Sequence, residues 1–171
     1  MKRAARHAAT CLSGIIALAL SAHLTQARAG DLVDYTGGFA PGAIVVKTSD
    51  RILLLVTSDG KAIKYSAGVG QLKKQWFGIT RIVSKHVRPA WAAPRNSDRA
   101  YVSAVIPAGS PRNPLGAAAL VLADQDLAIH GTNDPNSIGK FISLGCIRLK
   151  NEDITDLYSR VRVGTTVAVL R

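Results

Sequence analysis

Residues 128–149 read AIHGTNDPNSIGKFISLGCIRL, and this stretch carries the pattern from which the rest of the chain is interpreted. Alternate side chains of an extended strand face opposite sides, so His130 lies opposite Ile129. By the same alternation, Cys146 and Arg148 lie opposite Ile147. The segment between the two strands is rich in glycine, proline and asparagine, which are typical of a chain reversal. We therefore expect an imidazole, a thiol and a guanidinium to emerge together, away from the apolar core.

These side chains fit nucleophilic catalysis by cysteine. An ordinary thiol has a pKa of about 8.5 and a neighbouring imidazole can accept its proton, so His130 is the candidate base for Cys146. Arg148 adds positive charge that favours a thiolate or holds a substrate carboxylate. The peptide N–H groups of Gly145 and Cys146 could bind an oxyanion, and the implied reaction is acyl transfer through a thioester. Each residue alone has an ordinary alternative: a surface histidine, a packed Gly-Cys pair, or an arginine that braces the following helix.

Outward from this stretch, the chain shows short strand patterns and one clear helix pattern. Acidic residues follow Asn151, apolar residues recur at helical spacing from Ile154 to Val161, and Gly164 comes after them, which predicts a helix. Strands are predicted at residues 43–47, 52–56, 62–65, 78–83, 116–122, 127–129 and 165–170, and the second and third form a hairpin. The sequence thus indicates a mainly β domain, sandwich or barrel-like, with one helix near the C-terminus.

The segment 87–114 has a different composition. Five of the seven prolines of the chain fall within it, together with Trp91 and Arg112. A long proline-interrupted connection in a small domain is typical of a closing lid or a binding loop, and a disordered insertion is the alternative.

The N-terminal residues have the order of a secretory signal peptide. Three basic residues within the first six precede an apolar stretch at residues 8–22, and Ala27 and Ala29 close it in a small-x-small pattern. We expect cleavage after Ala29. The alternative is a retained membrane anchor, although the apolar stretch is shorter than the roughly 20 residues of a membrane span.

Cleavage there would leave 142 of the 171 residues, which suits one domain. The predicted division is a signal peptide at residues 1–29, an N-terminal arm or linker at 30–41 and a catalytic domain at 42–171. Losing four basic residues with the leader lowers the net charge from +11 to +7, which suits an anionic surface. Nucleic-acid binding is not predicted, because no basic run is interleaved with aromatic residues. Cys11 leaves with the leader, so the mature protein has one cysteine and no intramolecular disulfide.

The order of these features resembles the L,D-transpeptidase catalytic domain, also called the YkuD domain. Its signature is His-Gly-Thr, then a glycine-containing loop, then Ser-x-Gly-Cys-x-Arg. The matching residues of this chain are His130, Gly131, Thr132, Gly139, Ser143, Gly145, Cys146 and Arg148. The resemblance extends over about residues 41–170 and includes the Asn-Pro-Leu-Gly stretch at 113–116. It implies a mixed but mainly β catalytic fold.

By this resemblance, Cys146 is the nucleophile and His130 is its base. The backbone at Leu144, Gly145 and Cys146 would form the oxyanion hole, and the Gly131 carbonyl would orient the imidazole. Three side chains would bind or organise the substrate: Arg148, Ser143 and Thr132.

The family forms peptidoglycan cross-links for cell-wall organisation. Its members cleave an L,D bond of a stem tetrapeptide at meso-diaminopimelate. They transfer the acyl group to an amine on another stem peptide or on an outer-membrane protein, or to water as L,D-carboxypeptidases. The mature chain has two histidines and one cysteine without zinc-like spacing, so no metal site is predicted, and no cofactor is expected. The resemblance implies that carbapenems acylate Cys146. Together with the signal peptide, it predicts an exported protein of the periplasm or cell envelope.

The chain departs from the signature at one position. Many members carry histidine where this chain has Leu144, but His130 occupies the family's base position. Leu144 and the positive charge also motivate an alternative, a non-catalytic peptidoglycan-binding module. A second alternative is another envelope thiol acyltransferase of the sortase type, because sortases share the order of histidine, cysteine and arginine.

Overall fold

The structure is a computed structural model, and it describes residues 29–92, 105–123 and 127–171. The predicted signal peptide, apart from Ala29, lies outside these residues. Within the three ranges, no helix is long and apolar enough to cross a membrane. The regular elements of the described residues are β1 (Asp31–Asp34), β2 (Ile44–Lys47), β3 (Ile52–Val56), β4 (Lys61–Ser66), β5 (Val69–Gly70), β6 (Gly78–Val87), β7 (Ala118–Leu122), β8 (Ala128–His130), β9 (Phe141–Ser143), β10 (Ile147–Arg148), α1 (Asn151–Arg160) and β11 (Thr166–Leu170), with short 3₁₀ helices at Leu72–Lys74 and Pro135–Ser137.

One sheet contains nine of these strands, in the order β1-β4-β3-β2-β11-β6-β7-β8-β10, while β5 and β9 pair separately. Most neighbours are antiparallel, but β11 is parallel to β2 and β10 is parallel to β8. β11 therefore joins two groups of strands: β1 to β4 on one side and β6, β7, β8 and β10 on the other. The prediction of a mainly β domain with one helix near the C-terminus is confirmed.

β6 pairs with different strands along its two edges and different parts of its length. Residues 78–81 pair with β11, and residues 82–87 pair with β7. The register shifts between Ile82 and Ser84, as expected of an irregularity that increases strand twist. The sequence predicted this strand only as far as Val83, because its last residues are half-buried or exposed and lack a clear apolar alternation.

The main core lies between the inner face of the sheet and α1. Ile154 and Leu157 are fully buried in it, so the helical spacing in the sequence does mark the face of α1 that packs on the sheet. The C-terminus of α1 is held by Lys85, whose ammonium donates hydrogen bonds to the carbonyls of Tyr158 at 2.7 Å and Val161 at 2.5 Å. These bonds satisfy carbonyls that have no partner within the helix.

The outer face of the sheet carries a second apolar cluster, formed by Val45, Leu54, Val56 and Ala62. Tyr35 and Phe39, from the segment predicted as an arm or linker, pack against it. β1 lies within residues 30–41 and pairs with β4 as an edge strand, and the division into arm and catalytic domain stays a prediction. β1 is mostly exposed, so the sequence shows no apolar alternation there.

Candidate active site

The parallel pairing of β8 and β10 brings the two halves of the sequence signature together. Ile129 pairs with Ile147, and His130 pairs with Arg148. Both isoleucines are buried in the main core, so the neighbouring residues of each strand face the other way. Cys146 directly precedes β10 and is half-buried. The register therefore supports the predicted juxtaposition of imidazole, thiol and guanidinium.

His130 is buried, and its orientation is set by the backbone. Its Nδ1 lies 2.6 Å from the carbonyl oxygen of Gly131. Because a carbonyl only accepts hydrogen bonds, Nδ1 carries the proton and Nε2 is left as the basic nitrogen. Burial is the main reason that the pKa of His130 is lowered to about 4, and the Arg148 charge lowers it as well. The backbone carbonyls of Gly131 and Pro114 act in the opposite direction and raise this pKa. The imidazole is thus neutral at neutral pH and can accept a proton.

The turn that carries Cys146 is held by two side chains. The hydroxyl of Ser143 accepts a hydrogen bond from the Gly145 N–H at 3.2 Å and donates one to the Cys146 carbonyl at 2.5 Å. The indole N–H of Trp76 donates to the Gly145 carbonyl at 3.0 Å. The substrate-binding role of Ser143 stays a prediction, because its hydroxyl is buried and engaged within the turn. The Gly145 N–H, expected at an oxyanion hole, is likewise engaged.

Arg148 is fixed through its backbone while one side-chain donor is left without a partner. Its N–H and carbonyl exchange hydrogen bonds with Gly68 at 2.8 and 2.9 Å. The side chain is half-buried, and its Nε is buried without a hydrogen-bond partner among the described residues. A buried donor of this kind calls for a physical explanation, and a bound anion would supply one.

The loop after His130 is held by Asn151. The Asn151 side chain accepts hydrogen bonds from the N–H groups of Ala117 at 3.0 Å and Thr132 at 3.1 Å, and it donates to the Thr132 carbonyl at 3.0 Å. A Cβ on Gly131 would lie 2.4 Å from the same Asn151 oxygen, so a close approach requires glycine there. The Thr132 hydroxyl is buried and bonded to the backbone of Asp134. Its predicted substrate contact therefore stays a prediction.

The ends of the proline-rich segment are anchored beside the site. Asn113 is buried, and its side chain donates to the Pro89 carbonyl at 2.6 Å. Trp91 and Ile106 exchange backbone hydrogen bonds. Residues 93–104 lie outside the described residues, so the lid or binding loop stays a prediction.

The structure thus adds Trp76, Asn113 and Asn151 to the residues that sequence reasoning selected. All three act on backbone groups that are distant in the sequence, and no motif marks such contacts. For Asn151 the sequence contains one indication of a structural role, because the residue stands at a helix start, where asparagine is a typical cap. The helix instead begins after Lys150 without a side-chain cap, and the Asn151 side chain bonds to Ala117, just before β7, and to Thr132, in the loop after β8.

Leu144, the departure from the signature, is 60% exposed. No three His, Cys, Asp or Glu side chains within the described ranges are arranged to hold a metal ion.

Comparison with known proteins identifies a family. The family model described as the L,D-transpeptidase catalytic domain, YkuD, matches residues 41–169. The "Probable L,D-transpeptidase ErfK/SrfK" of Escherichia coli strain K12 is 35% identical over 138 residues, which cover 74% of this chain and 43% of that protein. The chain therefore spans less than half the length of this curated relative.

Solved structures show the same fold. An L,D-transpeptidase from Mycobacterium smegmatis superposes with a TM-score of 0.59 at 17% identity, covering 84% of this chain and 69% of that one. The LD transpeptidase LdtMt1 in complex with imipenem superposes with a TM-score of 0.58 at 17% identity, covering 75% of this chain and 58% of that one.

Proposed function

Because the chain belongs to the L,D-transpeptidase catalytic domain family, we propose that it is a cysteine acyltransferase that forms peptidoglycan cross-links, with Cys146 as nucleophile and His130 as base. The observation that carries the proposal is the hydrogen bond from His130 Nδ1 to the Gly131 carbonyl, beside the pairing of His130 with Arg148. Together they present a neutral imidazole with a basic Nε2 next to the strand that begins after Cys146.

In the first half-reaction, the Cys146 thiol transfers its proton to His130 Nε2 as the sulfur attacks the carbonyl carbon of the donor stem peptide at meso-diaminopimelate. The tetrahedral intermediate collapses, the amide C–N bond breaks, and the leaving amine takes the proton from the imidazolium. The product is a thioester on Cys146. Within the turn at residues 144–146, the Cys146 N–H stabilises the oxyanion, whereas the Gly145 N–H is bonded to the Ser143 hydroxyl.

In the second half-reaction, an acceptor amine loses a proton to His130 Nε2 and attacks the thioester. The C–S bond breaks, the new amide forms, and the proton returns to the Cys146 sulfur. The acceptor is an amine on another stem peptide or on an outer-membrane protein, and water in its place would give a carboxypeptidase.

Arg148 supplies a site for a substrate carboxylate. Its buried Nε lacks a partner among the described residues, and the guanidinium is a donor suited to carboxylates. A substrate carboxylate near Arg148 would also offset the guanidinium charge that lowers the pKa of His130, which makes the imidazole a stronger base once the donor is bound.

The proposed location of the protein rests on the predicted signal peptide and on where its substrate is available. We infer that the signal peptide directs it to the periplasm, where stem peptides are available, and that cleavage after Ala29 yields residues 30–171. N-terminal sequencing of the protein recovered from the envelope fraction tests this, and a start other than Gly30 would move the cleavage site.

Intact-mass analysis of the mature protein with a carbapenem tests the nucleophile and the base. We expect one adduct on the wild-type protein, none on Cys146→Ala and slower formation on His130→Ala. The same three proteins are incubated with a donor stem tetrapeptide and an amine acceptor to follow product formation. A folded wild-type protein that forms neither adduct nor product would contradict the proposal and favour the peptidoglycan-binding module.

A further inference from the structure

A tryptophan outside the sequence signature contacts the peptide that joins Gly145 to the nucleophile. The indole N–H of Trp76 donates to the Gly145 carbonyl at 3.0 Å. Trp76 is half-buried and packs against the main core, so its ring is held independently of the turn it contacts.

The segment that presents Trp76 is itself fixed to the site. The Gln71 N–H donates to the Ser143 carbonyl at 2.9 Å, one residue before the turn begins. The side-chain amide of Gln75 donates to the Gly70 carbonyl at 3.1 Å. The indole therefore approaches the turn from an anchored loop.

The Gly145 peptide needs such a partner because of its own conformation. Gly145 has a φ of +130°, which only glycine adopts readily. A Cβ at Gly145 would lie 2.9 Å from the Leu127 side chain and 3.7 Å from the Trp76 ring. Glycine is therefore required there, and without a side chain its backbone has more freedom to rotate than that of any other residue.

The direction of one peptide group links this contact to catalysis. None of the peptide bonds in the described ranges is cis, and in a planar trans peptide the C=O and the following N–H point in opposite directions. A Gly145 carbonyl that faces the indole therefore sends the Cys146 N–H to the side away from Trp76. Ser143 fixes the neighbouring groups, because its hydroxyl bonds the Gly145 N–H and the Cys146 carbonyl.

We propose that Trp76 is a positioning residue, which holds the Gly145–Cys146 peptide so that the Cys146 N–H is aimed at the oxyanion of the acyl-transfer intermediate. The inference rests on the proposed function, because the oxyanion forms only if Cys146 is acylated. In this role Trp76 acts through the peptide, by its bond to the Gly145 carbonyl. The oxyanion gains most from a preorganised donor, so loss of the indole bond should slow acylation more than it weakens binding.

The test is the acylation of the mature protein by a carbapenem, with the maximal rate constant kinact separated from the binding constant KI. Loss of one oxyanion donor costs about 10²- to 10³-fold in rate, and misaiming one should cost less. We expect Trp76→Phe to lower kinact about 10- to 100-fold and to leave KI within about 3-fold. The matched control is Phe77→Leu, which alters the neighbouring ring.

A tryptophan analogue with sulfur in place of the indole N–H, incorporated at position 76, removes the hydrogen bond and keeps the ring. It should reproduce the kinact of Trp76→Phe. An analogue protein that acylates at the wild-type rate, or a Trp76→Phe protein with unchanged kinact or with a loss confined to KI, would overturn the inference. Failure of the proposed function would give a different result, because the wild-type protein itself would then form no adduct.

Discussion

His130 is a buried titratable side chain, and its burial couples the stability of the domain to pH. Its pKa is lowered from 6.5 to about 4, so the folded protein holds the imidazole neutral in a range where the unfolded chain protonates it. Below pH 6.5 the unfolded state therefore binds more protons than the folded state. The stabilisation is complete above pH 6.5 and is lost as the pH falls towards 4.

We expect this effect to appear as a difference between the wild-type protein and His130→Gln. Between pH 6.5 and 4 the free energy of unfolding of the wild type should fall by about 3 kcal/mol more than that of the variant, because each pKa unit corresponds to about 1.4 kcal/mol. Urea titrations at half-unit pH steps measure it. If the free energy of unfolding depended on pH in the same way for both proteins, His130 would not be buried in its neutral form.

At the scale of single residues, the sequence predicts the reactive groups better than the groups that hold them. His130, Cys146 and Arg148 stand within residues 128–149, and strand alternation places each of them opposite an apolar neighbour in the chain. Trp76 and Asn151 could not be identified in this way, because they bond to backbone atoms far away in the chain. Their roles depend on which loops meet, and that is a property of the folded sheet.

At the scale of elements, hydrogen bonds connect the N-terminus of α1 to the start of β7 and to the loop after β8. Three hydrogen bonds of the Asn151 side chain make this connection. The bond to the Thr132 N–H fixes the Gly131–Thr132 peptide, and the Gly131 carbonyl of that peptide orients His130. The helix is thus a support for the site as well as a cover for the core.

Asn151→Ala should therefore destabilise the domain although the side chain is exposed. Its loss leaves two backbone N–H groups and one carbonyl without their partner, and we expect a cost of about 1–3 kcal/mol. Thermal or urea unfolding measures it. The control is Asn136→Ala, at another exposed asparagine of the same region, which should change stability by less than about 0.5 kcal/mol. Equal effects of the two substitutions would show that the Asn151 bonds contribute nothing.

Element types were predictable where the apolar pattern is strong. β3 occupies the predicted residues 52–56, and the apolar spacing from Ile154 identified α1. Predicted strand boundaries were wrong where the backbone conformation of a single residue determines them. The strand predicted to begin at Gly116 begins at Ala118, because Gly116 has a φ of +63° and belongs to a turn. β1, β5, β9 and β10 are too short or too exposed to show a period.

At the scale of the whole molecule, β11 is the strand on which the continuity of the nine-stranded sheet depends. Ala168 lies at its centre, is fully buried, and pairs with Val45 on one side and Ile79 on the other. The pattern at residues 165–170 predicted a strand, but no local signal indicates its central position. That position follows from two long-range pairings.

Ala168→Pro should prevent cooperative folding, because proline removes a ladder hydrogen bond in the middle of a sheet and costs about 3 kcal/mol or more. The control is Leu32→Pro in β1, an exposed edge strand with one paired neighbour, where we expect a much smaller loss. Circular dichroism during urea unfolding compares the two. Similar midpoints for both variants would mean that the two groups of strands do not depend on β11.

The position of β11 also sets the order in which the protein can be completed during its synthesis. The strands that carry His130 and Arg148 are made before the strand that attaches them to β2, and β11 follows every other strand of the sheet along the chain. A chain that emerges from its N-terminus therefore cannot close the sheet until residues 166–170 have appeared. If the proposed export holds and the chain crosses the membrane unfolded, the proposed thiol site is assembled only after residues 166–170 have reached the far side.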